Sequence, residues 1–167
     1  MTPRKVFTAA ATAVAAVSAT MIAAAPAQAE PTQPIRISST PISVLQWPAI
    51  GLQFSGLVVP MPLLGNVTAA TTDKRGVTEL AAPAPPTTCS ASGGGALVGI
   101  NWVNTTNGRS GSTTVKPCPN FLDPTPHTRK VNTGSGQIAV TIHFTGSRPY
   151  PNAGQPSIPG VGTFLAP

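Results

Sequence analysis

The chain has 167 residues and a formal net charge of +6, yet only 8% of its residues are charged, while 20 are proline and 16 are glycine. This composition excludes a helical bundle, because helices need charged solvent faces and tolerate few proline and glycine breakers. The basic residues are scattered and cluster only in pairs, whereas nucleic-acid interfaces are dense in Lys and Arg, so no nucleic-acid partner is expected.

Residues 1–29 have the pattern of a secretory signal peptide. Two basic residues precede an apolar run over residues 6–25, and Ala27-Gln28-Ala29 matches the small-residue site that a signal peptidase reads. The run is rich in Ala and inserts into a bilayer less favourably than one rich in Leu, so we expect cleavage after Ala29. The product, residues 30–167, would be a single secreted β-rich domain without a transmembrane segment.

The first part of this domain is apolar and predicts strands. Residues 42–47 are consistent with one strand, and Ile50, Leu52 and Phe54 then alternate with smaller or polar residues at the two-residue period of a half-buried strand. The stretch 50–64 is the most apolar part of residues 30–167. We expect it to form core, because most such strands bury their apolar face. The alternative is an exposed patch for lipid or a protein partner.

The middle of the domain carries weaker signals. Residues 69–80 give the only hint of a helix, which Gly76 and several threonines weaken. Residues 81–88 are rich in proline and predict an extended loop within one domain.

The last part of the domain predicts more strands. Residues 95–103 and 109–116 form a hairpin around Asn107-Gly108, a dipeptide suited to a tight turn. Residues 136–145 form a strand with apolar residues inward, and residues 161–165 form a final short strand. These elements predict an all-β fold, a small antiparallel β-sandwich with Pro/Gly-rich loops. The inward residues of the long strand are Ile138, Val140, Ile142 and Phe144.

Cys89 and Cys118 are the only cysteines of the chain. An even count in an exported protein predicts a disulfide, which would strap the base of the hairpin between them. Cys89 followed by Trp102 resembles the first cysteine and core tryptophan of immunoglobulin domains. However, Cys118 follows Trp102 too closely and no Asp-x-x-x-Tyr-x-Cys corner precedes it, so an immunoglobulin-like architecture is compatible with the sequence but a true immunoglobulin domain is not expected.

Catalytic residues are hard to find. Asp123 with His127 or His143 is the combination from which a small secreted hydrolase could be built, and it is the alternative function. No Gly-x-Ser-x-Gly elbow presents a serine, and these three residues lack the spacing of a defined metal site. The leading expectation therefore assigns no catalytic, metal-binding or cofactor-binding residue.

The leading hypothesis is an exported, non-enzymatic β-sandwich that acts by binding at the cell envelope or in the medium. Its partner would be an anionic cell-envelope polymer, a lipid or another protein. The apolar stretch 50–64 and the net positive charge, +4 once Arg4 and Lys5 are removed, are the features behind this hypothesis.

Overall fold

The computed structural model describes residues 39–54, 60–91, 95–119 and 121–167, which all belong to one unit, Arg36–Pro167. The predicted signal peptide, residues 1–29, lies outside the described residues. Within the described ranges no helix is long and apolar enough to cross a bilayer. The elements in chain order are β1 (Pro41–Ile42), β2 (Leu45–Trp47), β3 (Ala49–Phe54), β4 (Pro60–Gly65), β5 (Thr68–Thr71), β6 (Thr78–Ala81), α1 (Pro86–Cys89), β7 (Ala96–Asn104), β8 (Ser110–Val115), β9 (Thr128–Val131), β10 (Gly136–Gly146) and β11 (Gly160–Ala166).

The strands form three antiparallel sheets. A five-stranded sheet has the order β2-β11-β10-β7-β8, a four-stranded sheet has the order β1-β5-β6-β9, and β3 pairs with β4 as a separate hairpin. The predicted hairpin is confirmed as β7 and β8, with Gly108 in the turn at a φ of 76°. That backbone conformation suits glycine, which explains the Asn107-Gly108 signal.

All three sheets contribute to one hydrophobic core. Ile100 and Ile142 come from the five-stranded sheet, Leu80 from the four-stranded sheet and Leu63 from the β3–β4 hairpin, and all four are buried. The inward set predicted for β10 is confirmed by its alternating burial. Because facing sheets bury their inner side chains against one another, this is the all-β antiparallel sandwich that the sequence predicts.

The single strand predicted for residues 42–47 is wrong. The chain forms β1, which pairs with β5, and then crosses to form β2, which pairs with β11 in the other sheet. The pattern of apolar residues does not distinguish one strand from two. The difference lies in which strand each half pairs with, and the sequence does not give this.

The hint of a helix over residues 69–80 is also wrong, since β5 and β6 form a hairpin there. Gly76, at a φ of 74°, lies in the turn, and the Thr72 hydroxyl donates to the carbonyls of Lys74 and Val77. Pairing of β6 with β9 adds tertiary hydrogen bonds that outweigh the weak helix propensity. β9 itself was not predicted.

The proline-rich segment 81–88 is extended only in part. Ala81 closes β6, and a single helical turn, α1, begins at Pro86. Proline is favoured at the first position of a helix, because its fixed φ suits the helix and its missing N–H would have no partner there.

The predicted disulfide is confirmed between Cys89, the last residue of α1, and Cys118, which follows β8. It joins the segment before β7 to the segment after β8, so it closes the base of that hairpin. The backbone N–H of Ala84 donates to the carbonyl of Pro117 at 3.3 Å beside it. Neither cysteine lies on a sheet strand, which differs from the inter-sheet bridge of a true immunoglobulin domain.

We predict that Cys89→Ala with Cys118→Ala lowers the free energy of unfolding by about 3 kcal/mol, because a bridge with a sequence separation of 29 restricts the unfolded chain. Denaturant unfolding of the double variant and of the oxidised wild type measures the difference. Reduced wild-type protein should match the variant. Equal stability of all three forms would contradict a structural role for the bridge.

Candidate functional site

Asp123 and His127 lie in one loop that Lys116 organises. The ammonium of Lys116 donates to the backbone carbonyls of Phe121 at 2.8 Å and of Asp123 at 2.9 Å. The Nδ1 atom of exposed His127 is 3.0 Å from the carbonyl oxygen of Lys116. The carboxylate of Asp123 accepts a hydrogen bond from the amide of Thr125 at 2.8 Å. These contacts close the loop after β8.

The environment of Asp123 favours its ionised form. Hydrogen bonds from the Thr125 hydroxyl and then from its amide lower the pKa of the carboxyl group below its ordinary value, and the charge of Lys116 adds to this effect, while burial opposes it. A carboxylate held by its own loop in this way stabilises a turn.

His143 lies elsewhere, on the outer face of β10. It is half-buried and directly opposite Gly99 of β7, whose own partner on the next strand is Thr114 of β8. A Cβ on Gly99 would collide with the imidazole, so the ring covers that glycine. Two strand spacings, about 10 Å, separate His143 from β8, the strand that precedes the loop with Asp123 and His127.

The candidate catalytic residues are therefore not joined to one another. Across the described ranges, no hydrogen bond links Asp123 to either histidine, and no three His, Cys, Asp or Glu side chains are placed to hold a metal together. No contact favours the hydrolase alternative, which stays a prediction from sequence.

The most unusual surface lies where β2 pairs with β11. Trp47 is opposite Val161, and their side chains are 71% and 58% exposed. Leu45, opposite Thr163, is 79% exposed, and Leu165 is 66% exposed. Large apolar residues on a strand normally face the core, so this strand pair presents the opposite of the common arrangement.

Glycine and glutamine occupy the inner positions of the same strand pair. A Cβ on Gly162 would be 2.9 Å from the Cβ of Gln46, and a Cβ on Gly160 would be 2.5 Å from the carbonyl carbon of Pro48. The space inside is too small for a larger side chain at either glycine. A register shift by one residue would drive Val161 into it, so the outward direction of the apolar residues is determined by packing.

Gln46 fixes the orientation of β2. Its amide nitrogen donates to the carbonyl of Val67 at 3.0 Å, and its carbonyl oxygen accepts from the N–H of Val67 at 2.8 Å. Side chains alternate along a strand, so the inward direction of Gln46 places Leu45 and Trp47 outward.

The same pattern continues into β3. Ala49, Gly51 and Gln53 are buried, whereas Ile50 and Leu52 are half-buried and Phe54 is 46% exposed. The inner side meets Phe144, whose ring atoms would be 2.9 Å from a Cβ on Gly51 or on Gly65 of β4.

The expectation that residues 50–64 form core is therefore corrected. In the described part of that stretch, Leu63 is the one large apolar side chain that is fully buried, while Met61 and Leu64 are exposed. Residues 55–59 lie outside the described residues. The alternation of Ile50, Leu52 and Phe54 is present, but its apolar side faces outward because glycine and alanine occupy the space against Phe144.

Ile158 joins the two apolar regions. It pairs with Ile50 through two backbone hydrogen bonds, of 2.9 and 2.7 Å, and is 67% exposed. We call five side chains that are each more than half exposed, on β2, on β11 and at the bridge residue before β11, the apolar corner face. Its members are Leu45, Trp47, Ile158, Val161 and Leu165.

A shallow groove lies beside this face. It has a volume of about 360 Å³ and runs between Leu52 and Phe54 on one side and the loop 149–154 on the other. Tyr150 lines it and contacts the ring of Phe121, with 5.6 Å between ring centroids. The groove extends the exposed apolar surface along β3.

Sequence reasoning did not single out the apolar corner face. The available signal was the alternation of Gly160 and Gly162 with Val161, since small residues at every second position mark a side that cannot hold large ones. Gln46 between Leu45 and Trp47 is a second such signal.

Comparison of the chain with protein-family models, with curated proteins and with solved structures finds no match.

We predict that Gln46→Ala lowers the free energy of unfolding by about 1–3 kcal/mol, because the N–H and carbonyl of buried Val67 lose their partners. Gln137→Ala is the matched control, since exposed Gln137 bonds the hydroxyl of Thr163 at the surface and its loss should cost less than about 0.5 kcal/mol. Chemical denaturation of the two variants tests this. Equal small losses would show that Gln46 does not hold β2.

We also predict that Asp123→Asn reduces the loss of thermal stability in acid. A depressed folded-state pKa stabilises the fold above the ordinary value of 3.8, and this contribution disappears as the pH falls through the lower folded value. Midpoints of thermal unfolding, followed by circular dichroism from neutral pH into acid, should therefore fall less steeply for the variant. Thr125→Val should have a smaller effect of the same sign. An unchanged profile for Asp123→Asn would contradict the assignment.

Proposed function

We propose that this chain is an exported binding protein whose binding surface is the apolar corner face. The observation that carries the proposal is the outward direction of four large apolar side chains on β2 and β11, namely Trp47, Leu45, Val161 and Leu165. Gly160, Gly162 and Gln46 take the inner positions where the two strands meet, and β11 buries Phe164 and Ala166 further along. Exposed apolar patches on soluble domains are characteristic of surfaces that bind.

The rigidity of the scaffold supports a binding role. β2 is held by Gln46 and by backbone pairing with β11, and β11 is paired on its other side with β10 along seven residues. A surface on paired strands changes little when a partner binds, which lowers the entropy cost of association.

The disulfide and the leader pattern support a site of action outside the cytoplasm. Cys89–Cys118 requires an oxidising compartment to form and persist, and residues 1–29 supply the route to one. The cell envelope or the surrounding medium is thus the proposed location.

The test follows the exported product in producing cells. We expect its N-terminus to begin at Glu30 and the protein to be retained by the purified envelope fraction. Trp47→Thr should reduce retention about tenfold or more, because burial of a large apolar side chain contributes about 1.5–3 kcal/mol. Leu122→Ser is the control, since Leu122 is 95% exposed in the loop after β8 and outside the apolar corner face.

Two outcomes would contradict the proposal. One is full retention of Trp47→Thr by the envelope fraction, which would show that the apolar corner face does not take part in binding. The other is a wild-type product that the envelope fraction does not retain even at low salt.

A further inference from the structure

We infer that the apolar corner face and the basic turns at one end of it bind the surface of an anionic lipid bilayer. This inference rests on the proposed function and names the partner of the same face.

Basic turns lie at the end of the sandwich where β11 ends. Lys74 and Arg75 are exposed in the β5–β6 turn, and both line a surface depression together with Pro167, which follows β11. Leu165 lies two residues before Pro167 on the outer side of β11. The cations of this turn therefore lie beside Pro167, two residues beyond the Leu165 end of the apolar corner face.

The turn between β7 and β8, which carries Arg109, lies at the same end. The loop after β9 links it by hydrogen bonds to the β5–β6 turn and to Pro167. The N–H of Gly134 donates to the carbonyl of Gly76 at 2.8 Å, and the hydroxyl of Ser135 donates to the carbonyl of Pro167 at 2.7 Å. The side-chain amide of buried Asn104 donates to the carbonyls of Thr133 and Ser135 at 2.9 and 3.1 Å.

Asn104 also places Arg109, because its N–H donates to the carbonyl of Arg109 at 2.7 Å. A Cβ on Gly134 would be 3.6 Å from the Cδ of Arg109. We call Lys74, Arg75 and Arg109 the cationic end. Asp73 is the acidic residue of the β5–β6 turn, so the three cations are in excess.

This arrangement matches the chemistry of an anionic bilayer surface. Tryptophan and aliphatic side chains are favoured at the boundary between headgroups and acyl chains, where tryptophan keeps its N–H in the polar layer. Lys and Arg beside an apolar surface are attracted to anionic headgroups. Binding through the cations alone would leave Trp47 in water, whereas the boundary of an anionic bilayer takes up both the outward tryptophan and the neighbouring cations, so lipid is the partner that we infer.

The chain offers a built-in probe. It contains two tryptophans, and Trp47 is 71% exposed whereas Trp102 is 8% exposed in the core. Insertion of the apolar corner face into a bilayer should shift the fluorescence of Trp47 to shorter wavelength and leave that of Trp102 unchanged.

The experiment uses the exported product, with its N-terminus sequenced, and vesicles of phosphatidylcholine with or without phosphatidylglycerol. We expect stronger binding to the anionic vesicles, weakening with added salt, and a blue shift that is absent in Trp47→Thr. Trp47→Thr with Leu165→Thr should weaken binding about tenfold or more. Lys74→Gln and Arg75→Gln should each weaken binding about fivefold.

Matched controls test the location of the site. Arg148→Gln removes an exposed cation beyond the opposite end of β10, about 35 Å from Gly136 for a strand of this length. Leu122→Ser removes an exposed apolar residue outside the apolar corner face. Both controls should bind vesicles like the wild type.

The outcomes separate this inference from the proposed function. Retention by the envelope fraction that depends on Trp47, without binding to either vesicle, would overturn the lipid partner and leave the proposed function standing. Equal binding to neutral and anionic vesicles would show that lipid charge has no effect and would overturn the inference that the lipid partner is anionic. A blue shift on concentrating the protein without lipid would assign the face to a second copy of the chain. Vesicle binding unchanged in Trp47→Thr would overturn the apolar corner face as the lipid-binding surface, and envelope retention of the same variant would then decide the proposed function.

Discussion

The close approach of backbone to the ring of Phe144 is the constraint on which the arrangement of strands depends. A Cβ on Gly51 or Gly65 would be 2.9 Å from the ring, and one on Gly154 would be 3.0 Å from the Cβ of Phe144. Interiors are close-packed, so space this narrow excludes larger side chains. The β3–β4 hairpin can therefore lie on β10 only with Gly51 and Gly65 against the ring. Leu63 is buried beside them, whereas the other large apolar residues in the described part of the hairpin are half-buried or exposed.

The same principle shapes the corner where β2 meets β11. Gly160 and Gly162 admit β2 at short distance, and Gln46 satisfies the backbone of Val67 instead of filling apolar space. An apolar side chain kept in water forgoes about 1.5–3 kcal/mol of burial. The exposed row that includes Trp47 therefore adds little to the stability of the isolated domain, and the proposed partner would supply the missing burial.

The polar residues that suggested catalysis have structural roles in the described part of the chain. The carboxylate of Asp123 accepts from the amide of Thr125, Nδ1 of His127 lies against the carbonyl of Lys116, and His143 covers Gly99. None of these partners could be read from residue types, because each contact depends on how a loop or a neighbouring strand is placed. The sequence could supply the candidates Asp123, His127 and His143, but their separation is a property of the fold.

The sequence by itself determined the features that rest on local periodicity and covalent chemistry. These are the β7–β8 hairpin at Asn107-Gly108, the inward row of β10 and the bridge between the only two cysteines. Only the tertiary structure decided which side of β2, β3 and β11 faces water. Alternation shows that a strand has two sides, but the choice between them depends on contacts distant in sequence, such as Gln46 with Val67 and Gly51 with Phe144.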